Sequence, residues 1–266
     1  EIIDTSDFAD TTAEKICLKQ VVGNMPTSKS MWLFSRYDNG LRYSVGFFLD
    51  EEDKLIPGNE PAFCFFPTKE NTGLKFLLHA PFLLTDSREG IRAGISHNNR
   101  LIELLAELAG DSLIYLRDIG IKQSKRLITD DIVSIIPIDE DDFCELDDTS
   151  RISFLPFYTK IKGVFENKKI KDVFRNKKII PTTTGYTDTE NAYWAAVPYL
   201  AQLFSDAQLS KICGNACAEW AFPSLGRNEL QRSNRELYLY INSIVKTNLD
   251  EDDLIKGRYK GYGYYW

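Results

Sequence analysis

The chain has 266 residues, 43% of them hydrophobic and 12% aromatic, with a net charge of −7. That apolar content is enough to build real cores, which excludes a disordered chain, and the acidic balance argues against a dedicated nucleic-acid partner. No apolar run approaches the roughly 20 residues that a membrane-spanning helix needs. At about 100–150 residues per domain the length suits two domains. The chain opens Glu1-Ile2-Ile3-Asp4 without an initiator methionine and stops at Trp266, so it reads as a piece excised from a larger protein. Five cysteines, an odd number, fit a reducing and therefore cytoplasmic setting.

In chain order, residues 1–14 are polar and acidic with little periodicity and read as a lead-in. Residues 16–22 have strand character. Met31 to Tyr37 and Leu41 to Leu49 flank Asp38-Asn39-Gly40, and an Asn-Gly step between two aromatic and β-branched runs signals a hairpin. Pro57-Gly58 marks another turn, after which 62–67 and 75–80 read as further strands. The spacing of Leu101, Leu104, Leu105, Leu108 and Leu116, widened by Ile102, Ala109 and Leu113, predicts a helix over 98–117 covering that sheet. Gly120 stands where a helix terminator belongs.

Short helices and a linker are expected over 121–150, ending in the acidic run Asp139-Glu140-Asp141-Asp142 to Asp147-Asp148. A second domain follows over 151–256. It should hold a helix from Phe154 to Phe165, a short element at Ile170–Phe174, and a strand and turn from Ile179 to Thr187. Asn191-Ala192-Tyr193-Trp194 approaches a helical element, and Ser205 to Leu209 resembles a capped helix start. Trp220 to Ser224 reads as a strand and Asn228 to Lys246 as one long helix; a glycine- and tyrosine-rich tail, 257–266, closes the chain. The basic run Lys160, Lys162, Lys168, Lys169, Lys171, Arg175, Lys177 and Lys178 reads with the acidic one as two solvated faces at a domain boundary, a local basic groove being the alternative.

Most catalytic chemistry finds no support. Neither a Gly-x-x-x-x-Gly-Lys-Ser/Thr phosphate loop, a strand-linked Gly-x-Gly-x-x-Gly nor a Gly-x-Ser-x-Gly elbow occurs. Cys213 and Cys217 are four apart, but the two histidines, His79 and His97, are far from them in sequence, so no zinc set is formed. His79 lies in an apolar strand and reads as a core residue; His97 reads as a capping or surface residue. The paired carboxylates Glu51-Glu52 and Asp130-Asp131 sit in ordinary polar loops.

One stretch stands apart. After the strand His79-Ala80-Pro81-Phe82-Leu83, the polar loop Leu84-Thr85-Asp86-Ser87-Arg88-Glu89 reads as the opening of a helix, with Arg92 one turn beyond Arg88 on the same face. An arginine there can project from a rigid element towards an anion, its planar fork gripping two oxygens. Lys69, in a loop between two strands, is the alternative cation. Leu84 to Glu89, followed by Asn98-Asn99-Arg100-Leu101-Ile102, resembles the middle domain of HtpG-type heat-shock chaperones, where an arginine in a Leu-Asn-x-Ser-Arg-Glu motif reaches the γ-phosphate of ATP. Phe63-Cys64-Phe65-Phe66-Pro67-Thr68-Lys69, Thr72-Gly73-Leu74 and Phe76 to Phe82 are similar to the corresponding segments of sacsin-like proteins. The likeness covers residues 15–120 and continues more loosely to about 247. The chaperone asparagine is Thr85 here, and the glutamine one turn after the arginine is Arg92.

The resemblance implies an α/β domain like ribosomal protein S5 domain 2 over 15–120, followed by a smaller mixed α/β-helical domain. It implies that Arg88 contacts the γ-phosphate held by a separate N-terminal ATP-binding domain, with Lys69 as the alternative contact known from gyrase B and MutL relatives. ATP and Mg2+ would then belong to the parent protein and not to this chain, whose sequence lacks the Asp-x-Gly-x-Gly loop of that domain. A client protein and a second parent subunit are the further partners it admits. A protein-binding scaffold and a MutL-like DNA-processing ATPase are the alternatives.

Overall fold

The computed structural model describes residues 1–22, 25–143, 151–166, 178–245 and 247–260. The chain is a mixed α/β protein that divides into two compact units, Glu1–Ile161 and Lys162–Trp266.

The first unit begins with four antiparallel strands in a meander: β1 (Ile2–Phe8), β2 (Thr11–Val22), β3 (Met25–Asp38) and β4 (Leu41–Leu49). Short strands follow: β5 (Leu55–Ile56), β6 (Phe63–Cys64), β7 (Phe66–Pro67) and β8 (Leu77–His79). The sheet order is β1-β2-β3-β4-β8-β6-β7, with β5 also on β4; only the β6–β8 pair is parallel. At the β3–β4 turn Asp38 pairs with Leu41, and Asn39 and Gly40 take φ +49° and +80°. Positive φ at both central residues is what a two-residue hairpin with the sheet's twist demands.

Helix α1 (Ser96–Lys122) packs over β3 and β4, burying Leu101, Ile102, Leu105, Leu108, Leu113 and Leu116 against Phe34, Val45 and Phe47. It is longer than predicted at both ends. The helix runs on through Gly120, where an added Cβ would lie 2.8 Å from the Lys125 carbonyl oxygen and 3.1 Å from the Leu127 nitrogen. Gly120 therefore marks a close approach of the returning chain, not a terminator.

Two expectations for this unit fail. Residues 1–14 are not a loose lead-in: β1 pairs with β2, and Phe8 stacks on Tyr115 of α1 at 4.2 Å between ring centroids. Residues 121–143 are not a linker either. They hold a 3-10 turn, Asp130–Ser134, and bury Ile128, Ile132, Ile135 and Ile136 in the first unit. Residues 144–150, with Cys144 and the end of the acidic run, lie outside the described residues.

Beneath α1 sits one buried ionic network. Arg36, on β3 and 8% exposed, donates to Thr11 Oγ1 at 2.6 Å, to Asp111 Oδ2 at 2.9 Å and to the Tyr115 hydroxyl at 3.1 Å. Burial works against the guanidinium charge, but the hydrogen bond and charge of Asp111 outweigh it and hold the arginine pKa above its usual range.

Helix α2 (Leu155–Phe165) carries the division between the units. In the second unit β9 (Ile180–Pro181) and β10 (Tyr186–Thr187) form a small hairpin. Next come β11 (Ala192–Ala195), α3 (Pro198–Leu203), α4 (Asp206–Cys213), β12 (Glu219–Trp220), α5 (Arg227–Ser233), α6 (Arg235–Ile244), β13 (Thr247–Leu249) and α7 (Glu251–Lys260). β11 is the middle strand of a three-stranded parallel sheet, β12-β11-β13. Two buried tryptophans find acceptors: Trp194 Nε1 donates to the Leu225 carbonyl and Trp220 Nε1 to the Phe204 carbonyl, each at 2.7 Å. Ser205 caps α4 with a reciprocal Gln208 contact, as its position suggests.

Here too expectations are corrected. The segment 191–194 is a strand, not the approach to a helix, and after Trp220 the chain turns and does not extend. The predicted helix 228–246 is broken at Asn234, with φ −150°, whose side chain accepts from Leu237 N at 3.1 Å and starts α6 afresh. The element expected at 170–174, most of the basic run and the tail beyond Lys260 lie outside the described residues. Among those described, no helix is long and apolar enough to cross a membrane.

Candidate functional site

The segment that the sequence singles out is a hairpin and not a helix start. Leu84 bridges Ile91 antiparallel, Thr85 N donates to the Gly90 carbonyl at 2.9 Å, and Arg92 N donates to the Leu83 carbonyl at 3.0 Å. Between these strands Arg88 N donates to the Thr85 carbonyl at 2.8 Å, and the Thr85 and Ser87 hydroxyls lie 3.1 Å apart. Arg88 ends the turn with φ +60°, a left-handed conformation that costs a side-chain-bearing residue on the order of 1 kcal/mol. The polar residues expected to open a helix at Ser87-Arg88-Glu89 serve the turn instead, and the helix begins only at Ser96.

The base of this hairpin is clamped by Asn98, in the first turn of α1 and fully buried. Its Nδ2 donates to the Leu83 carbonyl at 2.8 Å and to the Arg92 carbonyl at 2.7 Å, while its Oδ1 accepts from Leu83 N at 2.9 Å. One amide thus holds both strands. His97, beside it, places Nε2 at 3.1 Å from the Pro81 carbonyl. Sequence reading assigned Asn98 no role of its own, although an amide in the first turn of an apolar helix is an available signal.

The three cations from the sequence converge on this hairpin with different local fates. Arg92 pairs with Asp86 at 2.5 Å. Lys69 pairs with Glu89 at 2.5 Å, and its backbone N donates to the Glu89 carbonyl at 2.6 Å, tying the β7–β8 loop to the hairpin tip. Arg88 is exposed, and among the described residues its guanidinium has no partner. The carboxylates on either side of Arg88 are therefore already neutralised by Arg92 and Lys69. A third carboxylate, Glu70, accepts from Ile91 N at 3.0 Å and keeps the local charge near balance. Because Arg88 and Arg92 are not on one helical face, their expected cooperation as a pair does not arise.

Next to the tip lies an open cleft of about 540 Å³, lined among others by Lys69, Glu89, Thr72, Phe143, Arg151 and Phe154. The other sequence candidates lie elsewhere. His79, on β8, packs edge-on against Phe65, and burial, then the charge of Arg42, hold its imidazole pKa below the usual range. Cys17, Cys64, Cys213 and Cys217 are free thiols. The described residues hold no cluster of three metal-ligating side chains. Comparison with protein-family models, with curated proteins and with solved structures finds no match.

Proposed function

We propose that this chain is the ATPase-coupling middle region of a sacsin-like, HtpG-related protein, with residues 15–120 an S5-like domain. In this reading Arg88 contacts the γ-phosphate of ATP held, with Mg2+, by an N-terminal domain of the parent. The observation that carries it is the state of Arg88: exposed, unpartnered among the described residues, and flanked by carboxylates that Arg92 and Lys69 neutralise. A phosphate approaching the tip meets a permanent, fork-shaped donor without the repulsion of bare carboxylates. As negative charge shifts in the transition state, that contact strengthens, and its formation and release would couple hydrolysis to domain motion. Lys69 and Arg92 then act by shielding, not by touching the nucleotide. The departures at Thr85 and Arg92 from the chaperone pattern fit that division: Arg92 serves Asp86.

The test is steady-state ATPase kinetics of the parent protein carrying its ATP-binding domain. Arg88→Ala should lower kcat about a hundredfold, roughly 3 kcal/mol, with a much smaller change in ATP affinity. Arg88→Lys should rescue little, because an ammonium cannot reproduce the fork. Unchanged turnover in Arg88→Ala, or an equal loss in Lys69→Ala, removes Arg88 from the role.

A further inference from the structure

The strands β2 and β3 outrun their neighbours. β3 pairs with β4 only as far as Ser30 opposite Leu49, whereas its pairing with β2 continues to Met25 opposite Val22. From Lys29 outward the edge of β3 on the β4 side has no strand beside it among the described residues. Beyond Leu49 the chain leaves that line: Asp50 accepts from the backbone N of Glu52 and Lys54, closing a turn that sends the chain back as β5 along β4. An open backbone edge remains, and open edges pair readily with another strand.

That edge forms one wall of a cleft of about 490 Å³, within the range of roughly 300–1,000 Å³ that ligand-holding clefts occupy. Ser28, Lys29 and Ser30 lie on the edge side; Phe48, Leu49, Ile56 and Pro57 supply apolar surface. The floor is fixed by Gly58, where an added Cβ would come within 2.3 Å of the Phe48 ring, and whose N donates to the Lys75 carbonyl at 2.7 Å. Charge in the cleft is one-sided. Asp50, Glu51 and Glu60 line it against the single ammonium of Lys29, which is 2.8 Å from Glu60 and 5.8 Å from the Phe48 ring centre.

The geometry points to a peptide-binding site: an extended segment of another protein, apolar at every second residue and carrying lysine or arginine at its ends, adds as a strand to the free edge of β3. Its backbone pairs with Thr27 to Lys29, its apolar side chains enter the cleft over Phe48 and Ile56, and its cations meet Glu51 and Asp50. This division of labour, main chain for affinity and alternate side chains for selection, is that of strand addition. Pro26 has no N–H, so the ladder stops there and the added strand is short.

The experiment titrates the intact chain into a fluorescein-labelled nine-residue peptide alternating valine with threonine and carrying lysines at its ends, followed by anisotropy. Saturable binding is expected, about tenfold weaker for the same peptide with glutamate in place of lysine. Ser28→Pro, which removes an edge donor, should abolish binding. Glu51→Lys, a surface change that leaves the core alone, should weaken it about fivefold, while Glu140→Lys, equal in net charge but outside the cleft, should not. Amide exchange at Ser28, whose N–H faces the free edge, should slow on binding. Absence of binding, equal loss from Glu51→Lys and Glu140→Lys, or no change in exchange at that edge overturns the assignment. So does a concentration-dependent dimer that buries the same amide without peptide, since the occupant is then a second copy.

Discussion

Replacing Asn98 by alanine should be among the more damaging single changes in the first unit. The side chain is fully buried and satisfies three backbone groups on two strands, Leu83 N–H, Leu83 C=O and Arg92 C=O. Each hydrogen bond contributes about 1 kcal/mol net, and a buried group left without a partner costs about 1–3 kcal/mol. The strands sit near the surface and water can reach part of the gap, so a loss of about 3 kcal/mol is expected. Asn98→Asp sharpens the argument. A carboxylate can still accept from Leu83 N–H but cannot donate to the two carbonyls and must bury a charge. It should therefore be no better than alanine despite its near-identical shape. Urea unfolding read by amide exchange of α1 and β4 gives the global loss; exchange at Thr85, Arg88 and Gly90 reads the hairpin directly. Both variants should speed exchange in the hairpin beyond the global change, because the clamp is local. A loss under about 0.5 kcal/mol, or an aspartate as stable as the parent chain, would refute the reasoning.

Asp111→Ala should cost about 2 kcal/mol: it removes a charged hydrogen bond, but Arg36 keeps Thr11 and Tyr115. In a cycle with Arg36→Met the two losses should fall short of additivity by about 1 kcal/mol, measured by urea unfolding. Gly120→Ala should destabilise by at least about 1 kcal/mol although alanine is the better helix former, since both atoms its Cβ would strike belong to the backbone; a stabilised variant would contradict the close approach. Because burial keeps His79 neutral in the folded chain, the unfolded chain binds the extra proton first. Stability should thus fall as pH drops from about 6.5 towards the folded pKa and level off below it. His79→Gln should flatten that slope in melts between about pH 7 and 5.

The parts legible in the sequence are those governed by local chemistry. Asn39-Gly40 demands a tight hairpin, the leucine spacing demands a helix over 98–117, and Ser205 with Gln208 demands a helix start; the structure contains all three. β1 was hidden because Asp4, Ser6 and Phe8 make its half-buried face mostly polar, so alternation in hydrophobicity does not report it. The ends of α1 were hidden for a related reason: Ile95 precedes it without a side-chain cap, and Gly120 is retained for packing rather than termination. At Ser87-Arg88-Glu89 polar residues that read as a helix opening serve a turn, and no residue type announces an arginine at positive φ. The site is legible as a set of cations near one loop. Which of them is already paired is not, because Asp86 and Glu89 are close to every one of them in sequence or space and only the fold apportions them.

The parallel sheet of the second unit has a consequence for the order of events during synthesis. Its middle strand, β11, precedes both of its partners, and the second of them, β13, lies beyond four intervening helices. The first unit's meander closes by neighbouring strands and can form as each leaves the ribosome, whereas β11 must wait with an open edge until residues 247–249 have emerged. A ribosome-bound chain halted just after Ile244 should accordingly show a protease-resistant first unit beside a second unit still open to cleavage, and release of only a few dozen more residues should close it.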